Sequence, residues 1–348
     1  MFAKLWARTR SWFEKLFPYE PEPGRFESGS KWKLRGFLAA APFVLPSREF
    51  LVYIPKGRSP WRRVPLVVLC HGCRQTPEEI AQGTRITELA DREGFVVLLP
   101  RQKDTANPWR CWNWFDTRTM KGKGEAAIVA AQIRFVRRRY RCQRKRVLVA
   151  GMSAGGAFAA VMGLRYPGLV SAVAVHSGLA CGAAKSPLTA IAVMQRGPEQ
   201  DIGVIGDSAR TAARPRDLPI PLLAVHGESD PVVSPRNAAA LVLQYLHLNG
   251  HASVQTTSGD AGATMSALPA ADNETRTTLA SGRTEILREW RSDGRLVARL
   301  VEVSGLGHAW SGGDPALPYN DAEAPDATAL VGAFFADAIP RRGFVQRT

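Results

Sequence analysis

The chain reads as an α/β protein built on a mostly parallel, doubly wound sheet with helices on both faces. Three observations predict this. Short, nearly unbroken apolar runs have the character of strands covered on both sides. Between them lie segments with helical periodicity, and that alternation is the pattern of β-strands joined by crossover helices. The length of 348 residues, with 45% hydrophobic and 22% charged side chains, allows one large core.

Taken in order, residues 2–17 have helical periodicity. Phe2, Leu5, Trp6, Trp12, Phe13, Leu16 and Phe17 fall on one face and mostly basic residues on the other. Such a helix could lie on an anionic membrane or granule surface, or dock on its own domain or a second subunit. Residues 18–30, with Pro18, Pro21, Pro23, Gly24 and Gly29, read as a linker, so residues 1–30 stand apart from a domain spanning 31–348. Residues 50–54 form a strand ended by Pro55, and residues 64–69 a strand that finishes in His71-Gly72-Cys73. Helical text covers 77–93, a second buried strand 95–99, and an unusually aromatic segment 107–115 sets Trp109, Trp112 and Trp114 around Cys111. A helix over 124–140 leads to a strand at 147–150, which breaks into Gly151-Met152-Ser153-Ala154-Gly155. Further strands are expected at 170–176 and 221–225, with a partly irregular excursion over the strand ends at 179–217 between them. A helix follows over 234–249. Residues 252–283 are poor in bulky apolar groups and are expected to be an exposed loop. A hairpin turning at Asp293-Gly294 delivers Gly307-His308-Ala309-Trp310, and a helix over 326–338 closes the chain.

The 46 Lys and Arg against 31 Asp and Glu give a formal charge of +15. That would suit an anionic partner, yet the arginines are spread along the chain and no nucleic-acid-binding signature accompanies them, so no nucleic-acid partner is expected. No stretch approaches the ~20 apolar residues a membrane span needs. The N-terminus is not a plain secretory signal, because Lys4, Arg8, Arg10, Glu14 and Lys15 interrupt its apolar residues, and this favours an intracellular location. Five cysteines exclude a fully paired framework. Cys73 and Cys111 flank loops expected at one edge and are expected to approach each other there; Cys70, Cys142 and Cys181 are expected to stay reduced.

The chemistry lies in a constellation. G-x-S-x-G at a strand-to-helix turn is a nucleophile elbow, which would hold the Ser153 hydroxyl above the strand ends. In a doubly wound sheet the loops after the strands converge on one edge, so Ser153, Asp230 and His308 can meet although far apart in sequence. The order Ser, Asp, His is that of the α/β-hydrolase fold. In this reading His308 takes and returns the Ser153 proton, while Asp230 fixes the imidazole tautomer. The backbone N–H groups of Ala154 and Cys73 would form an oxyanion hole. His226, four residues before Asp230, is better explained by a structural hydrogen bond to backbone. Trp112 and Trp114 fit either a core or an apolar wall for the acyl chain, and Trp310 could join such a wall.

Five motifs then resemble the polyhydroxybutyrate (PHB) depolymerase family of esterases, with feruloyl and acetylxylan esterases as relatives. They are His71-Gly72-Cys73-Arg74-Gln75-Thr76-Pro77, Cys111-Trp112-Asn113-Trp114-Phe115, Gly151-Met152-Ser153-Ala154-Gly155-Gly156, Val175-His176-Ser177-Gly178-Leu179 and Gly307-His308-Ala309-Trp310-Ser311-Gly312-Gly313. The resemblance covers residues 50–340. It implies an α/β-hydrolase fold, a small or oligomeric carboxylic ester substrate, no metal or cofactor, and the triad named above. Secreted members usually add a signal peptide, a linker and a polymer-binding module. None is visible here, so soluble short-chain or hydroxyalkanoate esters are expected to be preferred over crystalline polymer. A serine peptidase on the same fold, or a basic membrane- or granule-associated scaffold without catalysis, are the competing readings.

Overall fold

A computed structural model of the chain describes residues 24–29, 48–59, 61–199, 201–214, 217–254 and 267–339. Its frame is a ten-stranded sheet in the order β1-β2-β4-β3-β5-β6-β7-β10-β9-β8. The strands are β1 (Arg25–Gly29), β2 (Phe50–Ile54), β3 (Val64–Cys70), β4 (Val96–Pro100), β5 (Cys142–Met152), β6 (Ala172–His176), β7 (Leu222–Gly227), β8 (Asn273–Thr278), β9 (Thr284–Ser292) and β10 (Arg295–Val303). From β4 through β10 in that order the neighbours are parallel, whereas β1 and β2 at one edge and β9 and β8 at the other run antiparallel. The sheet is therefore mostly parallel and doubly wound, as expected, and the fold is that of the α/β-hydrolases.

The apolar runs become strands because both faces are covered. Leu66, Val68, Val147 and Val149 point into one core with the helices Gly124–Arg139, Ala154–Arg165 and Arg236–Asn249. Their neighbours Val67, Leu69, Leu148 and Ala150 point into the other, beneath Ile86–Glu93 and Ala327–Ala338. That alternation is the two-residue period of a strand, and each fully buried leucine or valine contributes about 2 kcal/mol. The helix after the elbow is buried from Ala154 to Leu164, and its Ala- and Gly-rich text is what lets it lie that close to β5 and β6.

Three expectations need correction and a fourth, the partly irregular excursion, gains detail. Residues 25–29, read as linker, form the edge strand β1 beside β2. Helical text over 77–93 is two helices, Pro77–Gly83 and Ile86–Glu93, broken where Arg85 takes φ 53°. The excursion over 179–217 carries helices Pro187–Arg196 and Gly203–Ala212. Within 252–283, β8 extends the sheet although all six of its residues are exposed, since an edge strand needs only backbone pairing with β9. The N-terminal helix expected over 2–17 lies outside the described residues. No helix among the described residues is long and apolar enough to cross a membrane.

Candidate active site

β5 ends at Met152 and the chain turns directly into the helix Ala154–Arg165. Ser153 occupies the turn at φ 56°, ψ −123°, backbone that a residue with a side chain adopts only under strain. Its N–H donates to the His176 carbonyl at the end of β6 (2.9 Å), and its carbonyl accepts from the Ala157 N–H (2.9 Å). Gly155 makes the turn feasible. A Cβ there would lie 2.2 Å from the Cys70 carbonyl oxygen and 2.5 Å from that of His71, so only glycine lets the helix begin against the end of β3. The helix N-terminus thus sits beside the His71-Gly72-Cys73 loop, and a Cβ on Gly72 would be 3.6 Å from Cβ of Ser153.

Asp230 and His308 follow β7 and β10, which are parallel neighbours. The two loops are also bonded to each other, with the Glu228 N–H donating to Val303 (2.9 Å) and the Ser229 N–H to Leu306 (3.2 Å). Gly227 permits the approach, because a Cβ there would stand 2.1 Å from the Leu306 carbonyl oxygen. The result is a hydrogen bond of 2.8 Å between Nδ1 of His308 and Oδ2 of Asp230. Oδ1 of Asp230 accepts from the N–H groups of Val232 (2.9 Å) and Val233 (2.8 Å). Burial pushes this carboxyl's pKa up, but the His308 bond and charge, the Val233 amide and nearby His226 outweigh it and hold the group at about 2. His308 bonds to Asp230; among the described residues no hydrogen bond joins it to the Ser153 hydroxyl.

His226 is placed as expected, with Nε2 donating to the Val233 carbonyl (2.7 Å), and burial drives its pKa down. His176 is buried too and its pKa is depressed to about 3, first by desolvation and then by His226 and His308. Burial thus favours the neutral form of both rings.

The Cys73 loop is anchored from several sides. Cys73 and Cys111 approach each other at this edge, as expected, and are disulfide-bonded, Cα to Cα 4.2 Å. Gly72 N–H donates to Oε1 of Gln75 (2.8 Å), and Arg74 N–H to the Trp109 carbonyl (2.6 Å). Behind the loop is a buried polar network that sequence reasoning missed. The Gln102 N–H donates to Nε2 of His71 (3.1 Å), while the Gln102 amide bonds to Glu125 (2.6 Å) and to the Cys111 carbonyl (3.0 Å). Asn113 donates to both oxygens of Glu125. No local motif marks Gln102 or Glu125; Gln102 stands in the polar run Arg101–Asp104 and Glu125 just behind Lys121-Gly122-Lys123-Gly124, text that reads as ordinary surface.

Of the two readings open for Trp112 and Trp114 the structure has the core, and the placing of these and Trp310 as a substrate wall is corrected. Trp112 is 1% exposed, stacks on Phe158 at 4.5 Å and donates to the His71 carbonyl (3.1 Å). Trp114 is buried, and Trp310 stacks on His176 and donates to Oγ1 of Thr328. Each indole has a core position, and the paired N–H groups of Trp112 and Trp310 remove any need for water. An accessible aromatic beside the Cys73 loop is Trp109, 61% exposed, with the Arg74 guanidinium 5.5 Å from its ring centre. Among the described residues, no group of three or more His, Cys, Asp and Glu side chains could hold a metal ion.

A model of the family described as Esterase PHB depolymerase matches residues 48–268. Poly(3-hydroxyalkanoate) depolymerase C of Paucimonas lemoignei is 29% identical over 204 residues, covering 58% of this chain and 49% of that protein, so the match spans about half its length. Feruloyl esterase B of Neurospora crassa is 30% identical over 198 residues, 53% of this chain and 65% of its own. Among solved structures, an acetyl xylan esterase from Aspergillus awamori superposes with a TM-score of 0.60 at 19% identity, over 75% of this chain and 89% of that one.

Proposed function

The chain belongs to the PHB depolymerase family of esterases, and from that premise we propose that it hydrolyses carboxylic esters as a serine esterase, through an acyl-enzyme. Ser153 Oγ attacks the carbonyl carbon while Nε2 of His308 takes its proton. Asp230 holds the ring with Nδ1–H turned toward itself and stabilises the imidazolium that forms. The N–H groups of Ala154 and Cys73 receive the oxyanion, a contribution of about 3 kcal/mol per donor in such sites. His308 then protonates the leaving alcohol, and a water activated by the same ring releases the acid.

The single observation that carries this reading is the 2.8 Å bond between His308 and a buried, ionised Asp230, at the sheet edge where Ser153 stands in strained backbone. Replacing Ser153 with Ala tests it. Hydrolysis of p-nitrophenyl butyrate should vanish with the melting curve unchanged, and a fluorophosphonate should label the parent at Ser153 alone. Substantial residual turnover would end the assignment.

For substrate, short-chain, hydroxyalkanoate-oligomer, feruloyl and acetyl esters fit the names borne by the relatives. Exposed Trp109 beside the Cys73 loop and exposed Val232 beside Asp230 offer a small apolar rim, which suits a soluble ester more than a polymer surface. Comparing turnover on 3-hydroxybutyrate trimer, methyl ferulate and PHB granules separates these; faster granule hydrolysis would reverse the preference.

A further inference from the structure

At the opposite edge of the sheet from Ser153 lies a cleft of about 850 Å³. It is bounded by the turn after β2, the starts of β3, β5 and β10, and the end of the helix Ala327–Ala338. From Arg146 to Met152, β5 runs six residues, so the cleft is about 20 Å from the candidate active site at ~3.3 Å per residue. Its volume is that of a small-molecule site.

The lining is strongly cationic. Lys56, Arg58, Arg62, Arg63, Lys145, Arg146 and Arg295 face one carboxylate, Glu93. Glu93 stands 3.9 Å from Arg92, and nearby Asp91 is engaged by the Tyr53 hydroxyl and the Lys56 N–H. Among the described residues, Lys56, Arg62, Arg63, Lys145 and Arg295 form no ion pair. Arg58 donates through Nη2 to the Tyr140 carbonyl, but its Nε is buried with no hydrogen-bond partner. Like charges repel, so cations lining one hollow, five of them without an ion pair among the described residues and the Nε of Arg58 without a hydrogen-bond partner, suit a multivalent anion.

We propose that this cleft is a second binding site, separate from ester hydrolysis, for a soluble polyphosphate-type anion. Five of the seven cations are arginines, whose planar forks match the oxygen pairs of phosphate. Concavity decides between sources of phosphate. A chain of three phosphates enters the hollow, whereas a bilayer or a nucleic-acid duplex meets only its rim.

The test is calorimetric titration of the full chain with sodium tripolyphosphate, with sulfate, and with phosphatidylglycerol vesicles, all at 0.15 M ionic strength. Tripolyphosphate should bind at least tenfold more tightly than sulfate. The variant combining Arg62→Ser, Arg63→Ser and Lys145→Ser should lose at least tenfold of that affinity with p-nitrophenyl butyrate turnover unchanged. Arg295→Ser alone serves if the triple variant fails to fold, and Arg138→Ser, outside the cleft, should leave binding unchanged. Equal affinity for sulfate and tripolyphosphate, loss with Arg138→Ser to the same degree, or binding to vesicles without binding to tripolyphosphate would each overturn the proposal.

Discussion

Replacing Asp230 with Asn changes one atom and is expected to remove most of the activity. The two oxygens of Asp230 are not equivalent. Oδ1 accepts from the N–H groups of Val232 and Val233, and Oδ2 accepts from His308. An asparagine must keep its oxygen toward the two amides, since turning its NH₂ there would set donors against donors. The NH₂ then faces His308 and binds the ring only if Nδ1 is the bare nitrogen, which puts the proton on Nε2. Such a ring cannot receive the proton of Ser153. The corresponding exchange in other triads lowers kcat by about 10⁴, or about 5 kcal/mol at 1.36 kcal/mol per decade. Folding should suffer less. The carboxyl's pKa of about 2 lies nearly two units below its ordinary value, so the charged form contributes about 2 kcal/mol that the amide forfeits. Steady-state hydrolysis of p-nitrophenyl butyrate from pH 5 to 9, beside urea unfolding, measures both. A fall in kcat/KM of less than tenfold with the pH profile unchanged would refute the argument.

Other expectations follow from particular contacts. His176 and His71 are buried with pKa values depressed to about 3 and about 4, chiefly by desolvation. The unfolded chain then binds more protons below pH 6.5, so stability should be full above that pH and decline on acidification by about 1.4 kcal/mol per unit for each ring. Urea titrations from pH 7 to 5 should show the decline, and His176→Leu should flatten it; an unchanged slope in that variant would contradict the assignment. Gly227→Ala drives a Cβ into the Leu306 carbonyl, so a loss of about 2–4 kcal/mol is expected together with loss of hydrolysis, and a variant with parental stability would mean the two loops can part cheaply. Changing Cys73 and Cys111 together to Ser frees a loop of 38 residues. By chain entropy this is worth about 4 kcal/mol, and a urea midpoint equal to the parent's would exclude it.

The parallel core was legible because strands buried on both faces must be apolar throughout, as Val67 to Leu69 and Val147 to Ala150 are. The candidate triad was legible for a related reason. Strand ends are marked by the change from apolar to polar text, and Ser153, Asp230 and His308 each follow one. β1 and β8 were not legible, because an edge strand is stabilised by backbone pairing and its exposed Glu274, Arg276 and Thr277 carry no burial pattern. Burial of Trp112 and Trp310 was hidden because an indole suits a pocket wall and a core equally until the acceptors, the His71 carbonyl and the Thr328 hydroxyl, are in place. Glu125 and Gln102 meet only through folding, 23 residues apart, and neither has a neighbour in sequence that foretells the other.

The two backbone bonds between the turns after β7 and β10, from Glu228 to Val303 and from Ser229 to Leu306, tie the loop that carries Asp230 to the loop that carries His308. The acid and the ring it orients, 78 residues apart, thereby travel as one body. The helix Pro187–Arg196 is fastened to the far side of the same loop, with the Ser234 N–H donating to the Met194 carbonyl (2.7 Å) and the Asn237 amide to the Val193 carbonyl (2.9 Å). Amide exchange at Glu228 and Ser229 should accordingly be slow, and as slow in the free protein as with an ester analogue bound.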